Sequence, residues 1–326
     1  MTQEATHETK PVLIYTDDGR DVDDIEAIAY LAGCPNIEIV GLVTTHMIPD
    51  RRALIARAVL NNLGKFNVPI GVGSVFPMDK EDELLTAYLR QHTIQGRTYE
   101  GEGLIECFAD GATLINETIE QYGQDLQIAV LAPLTDLALT ARRYPDNFRR
   151  IGGLYIQGQA TVSNGLLVPD AAAYNISEDK EAAVRVFEFQ DDIRMTLVGK
   201  YAAYQVSFTR GDFDLFEATG NPVGFYLKKH AENGLACFAE RDPETFERVF
   251  GVSADQLHAL NELSKPYDAL VAKAIARPEG LLAECVGHHA LIGMTEQNHG
   301  VEDAQALRLE LLSTIMGALR QAPLAG

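Results

Sequence analysis

This chain of 326 residues lacks several features that mark particular classes of protein. No apolar run approaches the roughly 18 residues that a membrane helix requires, and the polar N-terminus has neither the basic nor the apolar region of a secretory signal. The four cysteines lie far apart and form no C-x-x-C pair. We therefore expect a cytoplasmic protein with no membrane partner, whose cysteines are reduced and buried rather than paired in disulfides or bound to zinc.

Basic residues are scarce. The chain has 27 Lys and Arg against 47 Asp and Glu, which gives a formal net charge of −20 at pH 7. A field of this sign repels polyanions, so we expect no nucleic-acid partner and favour a neutral or cationic small molecule, or a metal ion. Apolar residues make up 46% and charged residues 23%, a globular composition that excludes disordered and fibrous classes.

Short apolar runs alternate with segments of helical periodicity along most of the chain. The runs are typical of buried parallel strands; they are Val12–Tyr15, Ile37–Thr44, Val68–Val72, Leu126–Leu131, Leu154–Gln157 and Met195–Val198. This alternation predicts an α/β fold with a doubly wound, mostly parallel sheet. We expect a disordered tail over residues 1–10 and a single domain over residues 11–326, because no Pro/Ser-rich linker interrupts the chain.

A mainly helical stretch in the C-terminal third, from about Asp212 to Leu263, predicts a helical cap within that domain. Its predicted helical segments are Phe225–His230, Pro243–Phe250 and Ala254–Leu263.

Five aspartates follow the first predicted strand within eight residues; they are Asp17, Asp18, Asp21, Asp23 and Asp24. Ligands of open parallel sheets bind at the carboxyl ends of strands. Carboxylates this close repel one another unless a cation or protons neutralise them, and their oxygens suit calcium or magnesium better than zinc. Some of them could instead only begin the next helix, whose macrodipole favours negative charge. An EF-hand is excluded, since Gly19 would occupy its third position.

The segment from Tyr15 to Asp24, Y-T-D-D-G-R-D-V-D-D, resembles the opening motif of the inosine–uridine-preferring nucleoside hydrolase family. Later segments resemble the family in the same order; they are GLVTT (41–45), VPIGVG (68–73), LAPLTDL (131–137), AYN (173–175), DKEAA (179–183) and KPYDA (265–269). The resemblance implies a Rossmann-like nucleoside hydrolase architecture. It also implies a calcium-dependent hydrolase in which water attacks the anomeric carbon of a nucleoside or related riboside. We further expect a homodimer or homotetramer.

The resemblance also implies a set of metal ligands. Asp17, Asp24 and Asp268, with the backbone carbonyl of Leu131, are expected to hold calcium. Asp17 is expected to act as general base as well, taking a proton from the attacking water. Without the resemblance, Asp268 would be interpreted as the N-cap of a helix.

Four residues are expected to contact the substrate. The resemblance implies that Asp23 and Asn175 bind sugar hydroxyls, and Tyr267 and Asp268 belong to the same set. Taken alone, Asp23 could be a charge at a helix start and Asn175 a satisfied turn residue. Asp18 and Asp21 are expected to be solvated or to lie behind the ligands.

The chain departs from the family pattern at four places. Tyr15 replaces the first aspartate of the motif, and residues 46–50 replace a glycine–asparagine pair. Ala173 stands where the family has a ribose-binding glutamate, and Tyr267 where many members have a histidine proposed to protonate the leaving base. The identity of the substrate is therefore open. The alternatives are a calcium- and ribose-binding homologue with little or no turnover, and a hydrolase of a non-standard ribosylated substrate.

Four histidines and a glycine-bounded loop complete the features of the sequence that bear on a site. The histidines His258, His288, His289 and His299 are expected at the surface or in an interface rather than around zinc. The loop Gly96–Gly103 is bounded by glycines and is expected to border the substrate pocket.

Overall fold

A nine-stranded sheet forms the centre of the computed structural model, which describes residues 9–19, 21–78 and 108–321. Two further sheets have two strands each. The described strands of all three sheets are β1 (Lys10–Thr16), β2 (Ile37–Thr44), β3 (Ile70–Val72), β4 (Ala109–Asp110), β5 (Gln127–Val130), β6 (Gly153–Gln157), β7 (Ala160–Ser163), β8 (Leu166–Pro169), β9 (Arg194–Val198), β10 (Phe208–Thr209), β11 (Glu262–Ser264), β12 (Glu284–Val286) and β13 (His289–Ile292). The two-stranded sheets are β7-β8 and β10-β11. The order across the large sheet is β12-β13-β9-β6-β5-β1-β2-β3-β4. Its described pairs are parallel except β12 with β13.

Helices follow most of these strands. They are α1 (Asp23–Gly33), α2 (Pro49–Asn62), α3 (Gly111–Tyr122), α4 (Thr135–Arg143), α5 (Pro145–Phe148), α6 (Tyr174–Glu178), α7 (Lys180–Phe187), α8 (Lys200–Ala203), α9 (Arg210–Glu217), α10 (Pro222–Arg241), α11 (Pro243–Phe250), α12 (Tyr267–Ala276) and α13 (Ala304–Gln321), with 3-10 turns at Gly123–Asp125 and Ala254–Ala259.

The central strand β1 shows why the sheet is covered on both faces. Val12 and Ile14 pack into one apolar cluster, with helices α1, α12 and α13, whereas Leu13 and Tyr15 point to the other, with α3, α4 and α7. Alternate side chains of a strand face opposite sides, so a strand buried on both sides is apolar throughout. The prediction of a doubly wound, mostly parallel α/β fold is confirmed.

The predicted helical cap is present as α9, α10 and α11. The last predicted helix, Ala254–Leu263, is wrong at its C-terminal end. The segment forms a 3-10 turn that ends at Ala259, and β11, which follows, pairs antiparallel with β10. Leu257, Leu260 and Leu263 recur every three residues, a spacing that fits a 3-10 turn as well as an α-helix. Leu263 is buried in the strand pair instead of on a helix.

Several smaller expectations also meet the structure. Cys34 is free and buried as predicted, whereas Cys237 and Cys285 are free but exposed, so their predicted burial is wrong. His289 is buried and its Nδ1 accepts a hydrogen bond from the Met195 amide (3.2 Å), so it is not a surface residue. It is drawn inward because it begins β13, beside β9.

Some predictions fall partly or wholly outside the described residues. The loop Gly96–Gly103, Cys107 and residues 1–8 of the predicted tail lie there, and β1 begins at Lys10. The single domain stays a prediction. In the described ranges, no helix combines the length and apolar character needed to cross a membrane.

Candidate active site

The chain order reverses at β1, where β2 lies on one side and β5 on the other. Such a switch point opens a crevice at the carboxyl ends of the strands, where ligands of doubly wound folds bind. A cavity of about 410 Å³ lies there. Its lining includes residues at or just beyond four strand ends, namely Asp17 after β1, Leu131 after β5, Gln157 in β6 and Lys200 after β9. The predicted site residues Asp23, Asp24, Asn175, Tyr267 and Asp268 line the same cavity.

Three buried carboxylates meet at the bottom of this cavity. Asp23 and Asp24 are the first two residues of α1 and Asp268 is the second residue of α12, and one oxygen from each lies within 4.8 Å of the others. Thr16, at the end of β1, donates a short hydrogen bond to Asp24. The close packing of α1 against α12 brings the two acidic helix starts together.

Burial and mutual repulsion disfavour the charged form of these groups. Burial, followed by the charge of Asp21, raises the pKa of Asp23 to about 8. Burial and neighbouring aspartates also raise the pKa of Asp24 and of Asp268 well above the usual value. Such a group holds protons unless a cation neutralises it. Because the donors are all oxygens, the cluster fits a hard divalent cation.

Asp17 lines the cavity beside this cluster and is accompanied by a buried cation that the sequence analysis missed. Nη2 of Arg52 lies 3.9 Å from Oδ2 of Asp17. The guanidinium is fixed from two other directions, because Nη1 donates to the backbone oxygen of Asp18 (2.6 Å) and Nε to that of His46 (3.0 Å). The compact group of oxygens contains Asp23 with Asp24 and Asp268, whereas Asp17 faces Arg52.

The two remaining aspartates of the motif differ from each other. Asp21 is exposed, and it lines the cavity. Asp18 is fully buried, which excludes the first of its two expected places, in solvent, and leaves the second, behind the ligands. The turn at Gly19, with φ of 104°, and the bond from Arg52 to the Asp18 carbonyl fold this residue inward. Burial raises the pKa of Asp18 to about 7.

The loop that replaces the family's glycine–asparagine pair holds Arg52 in place. His46 and Met47 have φ angles of 68° and 60°, in the left-handed region that non-glycine residues rarely adopt. His46 is buried, and its Nε2 lies 3.6 Å from Glu178 at the end of α6. Backbone strain of this kind clusters at functional sites.

Asn175 joins two strand ends. Its Nδ2 donates to the carbonyl oxygen of Leu131 (2.9 Å) and to Oε1 of Gln157 (3.0 Å). Both amide hydrogens are thereby used, which leaves the side-chain oxygen as the group that can accept a hydrogen bond from a ligand. The predicted carbonyl ligand Leu131 and the predicted sugar-binding Asn175 are thus direct neighbours.

Tyr267 lies directly before Asp268 and packs edge-to-face with Tyr204, with ring centroids 6.2 Å apart. Burial, followed by Tyr204 and the charges of Asp23 and Asp21, raises the pKa of Tyr267 well above 10. Tyr267 is therefore a weaker acid than an ordinary tyrosine.

Tyr15, the first departure from the motif, belongs to a different environment. Its hydroxyl lies 2.7 Å from the carbonyl of Pro133 and accepts from the amide of Asp136 (3.1 Å). Thr45 and Ser74 donate to the buried Asp136 carboxylate. Tyr15 therefore anchors the start of α4 and does not line the cavity.

Sequence reasoning also missed several residues that line the cavity; they are Gln157, Lys200, Tyr204 and Arg248. Gln157 and Lys200 stand at the carboxyl ends of predicted strands, a position that could have identified them. Arg248 lies on the cap helix α11, and no sequence pattern connects it with the strand ends.

Fold and site together define a doubly wound α/β protein with a carboxylate centre at its switch point. A model of the inosine-uridine preferring nucleoside hydrolase family matches residues 12–309. The chain belongs to this family and is an N-glycosyl hydrolase of the nucleosidase class, as the motifs predicted.

Individual relatives are more distant. The chain is 25% identical over 232 residues to the pyrimidine-specific ribonucleoside hydrolase RihA of Citrobacter koseri. The matched region covers 68% of this chain and 72% of that protein. It is 27% identical over 260 residues to the probable uridine nucleosidase 1 of Oryza sativa subsp. japonica, covering 75% and 78%. A solved structure of the type III effector protein XopQ, complexed with adenosine diphosphate ribose, superposes with a TM-score of 0.80 at 22% identity, covering 96% and 94% of the two chains. This last likeness concerns the fold alone.

Proposed function

We propose that this chain uses a calcium ion to hydrolyse the N-glycosidic bond of a ribonucleoside or related riboside. The observation that carries the proposal is the buried cluster of Asp23, Asp24 and Asp268, whose oxygens lie within 4.8 Å of one another in the cavity that Asp17 also lines. Desolvated carboxylates this close repel one another unless protons or a cation neutralise them, and a bound calcium ion would supply that positive charge. The family as a whole is metal-dependent.

By the family resemblance, Asp17, Asp24 and Asp268, with the carbonyl of Leu131, would hold the calcium ion, and Asp23, which lies in the same cluster of oxygens, would face the sugar. Bound calcium would supply positive charge, orient the sugar hydroxyls and the attacking water, and lower the pKa of that water. The all-oxygen donor set supports calcium over zinc.

Asp17 is proposed as the general base. It takes a proton from the water as the oxygen attacks the anomeric carbon. The Arg52 guanidinium, 3.9 Å from Asp17, places a positive charge beside the carboxylate that has to accept this proton. Asp23 and the side-chain oxygen of Asn175 accept hydrogen bonds from sugar hydroxyls, which fixes the ring against the base.

The bond to the leaving base breaks through an oxocarbenium-like transition state, as in glycoside hydrolysis. The carboxylates around the sugar stabilise its positive charge. Proton donation to the leaving base is the weak part of this site, because the pKa of Tyr267 lies far above neutral pH. We therefore propose that substrates with good leaving groups react fastest.

A second candidate is a homologue that binds calcium and ribose with little turnover, or one that hydrolyses a non-standard ribosylated substrate. The weak acid Tyr267 and the missing carboxylate at Ala173 favour it. Because the protein in the XopQ structure is complexed with adenosine diphosphate ribose, that compound belongs in any substrate panel for this chain.

The test is a panel of nucleosides and ribosides assayed for release of reducing sugar, with calcium and after chelation. We expect release that chelation abolishes and added calcium restores. Tight binding of ribosides without release from any of them would favour the second candidate. Release that resists chelation would contradict the role of calcium.

The other expectations stay predictions. They are a cytoplasmic location, a homodimeric or homotetrameric assembly, and the absence of nucleic-acid and membrane partners. Light scattering of the purified protein tests the assembly.

A further inference from the structure

The more exposed part of the cavity lining carries two basic residues beside the acidic Asp21. Lys200 and Arg248 line the cavity that holds the aspartates, and their described hydrogen bonds are to uncharged groups, although the charge of Arg248 also acts on Asp242. Nζ of Lys200 lies 3.4 Å from the carbonyl of Ala172 and 5.6 Å from the centre of the Tyr201 ring. Arg248 donates to the hydroxyl of Thr245 at 3.3 Å. Both side chains keep further N–H groups for a ligand.

Burial separates the two ends. Asp24 and Asp268 are each 4% exposed, whereas Lys200 is partly exposed and Arg248 is exposed. The half-buried Tyr204 connects the ends, because its ring packs on Tyr267 and the charge of Arg248 acts on its hydroxyl. A ligand at the carboxylates that is long enough to pass Tyr204 would therefore approach Arg248.

Lys200 is also tied to the wall expected to bind the sugar. It contacts Ala172, directly before Ala173 and three residues before Asn175. A glutamate at position 173, as in the family motif, would add a carboxylate near this ammonium and repel an anion. Alanine leaves Lys200 without that acidic neighbour.

The net charge of −20 alone disfavours an anionic ligand, so direct contacts have to outweigh the long-range field. Salt screens exposed charges beyond a Debye length of about 8 Å at physiological ionic strength. A contact with an ammonium or guanidinium group acts at about 3 Å and is charge-assisted. Direct contacts with Lys200 and Arg248 can therefore outweigh the repulsion of an anionic ligand by the net charge.

We propose that this site accepts ribosides that carry a phosphate, with Lys200 and Arg248 binding the phosphoryl group while the ribosyl group lies near Asp23 and Asn175. A 5′-phosphate is the simplest such group. The inference rests on the proposed function, because the ribosyl group has to occupy the carboxylate end for its phosphate to reach the cations. Phosphomonoesters and diphosphates share this chemistry.

The experiment compares the binding of ribose, ribose 5-phosphate, inosine 5′-monophosphate and inosine 5′-diphosphate to the calcium-loaded protein by calorimetry. We expect the phosphate of ribose 5-phosphate to improve affinity over ribose by about ten- to a hundredfold, the range for charge-assisted hydrogen bonds. Diphosphate binding tighter than monophosphate binding would show that both cations take part. Equal affinities for the two would assign one phosphate to the site.

Three variants test the assignment. Lys200→Ala and Arg248→Ala should each reduce the ratio of ribose 5-phosphate to ribose affinity, with the smaller effect at the exposed Arg248. Lys229→Ala is the control, since it removes one positive charge from a residue that pairs with Glu232 outside the cavity. Ala173→Glu should also lower the ratio, because it restores a carboxylate beside Lys200.

Equal binding of ribose and ribose 5-phosphate, or a ratio that Lys200→Ala and Arg248→Ala leave unchanged, would overturn the inference. The proposed hydrolysis is tested separately by base release from inosine. Release from inosine without a phosphate preference would refute the phosphate site alone. A phosphate preference without release from any riboside would refute hydrolysis alone.

Discussion

Arg52 and Asp17 connect helix α2 to the end of β1 through a contact of 3.9 Å between Nη2 and Oδ2. Arg52 is 3% exposed, and two backbone carbonyls fix its guanidinium. A cation held this firmly beside a carboxylate attracts it and fixes its orientation. In the proposed mechanism, Arg52 is therefore a positioning residue for the general base.

Replacing Arg52 should accordingly slow catalysis. We expect Arg52→Met to lower kcat by at least about tenfold, within the contribution of a well-placed general base, while calcium content is retained. The kcat of Arg52→Lys should lie between those of Arg52→Met and the parent chain, because an ammonium group keeps the charge but cannot reproduce the hydrogen-bond geometry of the planar guanidinium. Arg51→Met is the matched control, since Arg51 is the adjacent residue on the same helix and pairs with Asp50 (3.6 Å). An unchanged kcat in folded Arg52→Met would remove this role.

Asp17 and Asp23 should differ in what their substitution affects. Asp17→Asn keeps the shape but removes the proton acceptor, so turnover should be lost even when excess calcium fills the weakened site. Asp23→Asn should mainly weaken sugar binding, seen as a higher KM, and leave metal content nearly unchanged. Steady-state kinetics with metal analysis separate the two. If Asp17→Asn kept activity within about tenfold of the parent, Asp23 would be the next candidate for the base.

The acidic cluster predicts a link between pH, calcium and stability. A carboxyl whose pKa is raised by folding contributes stability that is complete below its unfolded pKa of about 4 and is lost as the pH rises through the folded value. For Asp23 that value is about 8. The calcium-free protein should therefore lose stability between pH 5 and pH 8.5, with its melting temperature falling. Calcium binds the deprotonated cluster, so its stabilising effect should grow over the same interval.

Melting curves with calcium and with chelator, measured across this interval, test the link. Metal analysis of protein purified without chelator should show one calcium per chain. Asp268→Asn should reduce both the pH effect and the calcium effect. Asp146→Asn, at a fully exposed carboxylate, should change neither. Stoichiometric zinc without calcium, or a calcium effect that shrinks as pH rises, would contradict the assignment.

Particular residues show which features of the fold and the site could be predicted from the sequence. The apolar run at Val12–Tyr15 predicted the central strand, because a strand covered on both faces has no polar alternation. The strand end then placed Asp17 and Asp24 at the crevice. Arg52 was not predictable in this way, because its role depends on how α2 packs against the turn after β1. Leu263 was misassigned because a period of three residues does not separate a 3-10 turn followed by a strand from a helix.

Tyr15 shows the same limit in another form. The motif identified it as a departure, but only the structure connects it with Pro133 and Asp136. Tyr15→Phe should destabilise the protein by about 1–3 kcal/mol, because it leaves a buried carbonyl or amide without its partner. The kcat of the folded protein should stay unchanged, since Tyr15 lies outside the cavity. Denaturant unfolding with parallel kinetics tests this, and a large loss of kcat at full stability would contradict it.

The last prediction concerns leaving groups and rests on Tyr267 and Ala173. General acid catalysis contributes about 10²–10⁴-fold, and the raised pKa of Tyr267 makes it a poor source of that proton. A nitrophenyl riboside needs no protonation to leave, so its kcat/KM should greatly exceed that of inosine, adenosine or uridine. Ala173 stands where the family motif has a sugar-binding glutamate. The affinity for common ribonucleosides should therefore be about ten- to a hundredfold lower than that of a protein with the full motif.

The measurement is kcat/KM for nitrophenyl riboside against inosine in one calcium buffer, for the parent chain and for Tyr267→His. An imidazole at this position has a pKa near neutral, so Tyr267→His should accelerate inosine cleavage while changing the nitrophenyl rate little. Tyr267→Phe is the control, because it removes the hydroxyl and keeps the ring that packs on Tyr204. If Tyr267→Phe lowers inosine cleavage as much as the loss of an acid would, then Tyr267 donates the proton despite its burial. Inosine cleavage near the nitrophenyl rate in the parent chain would show that another acid supplies it.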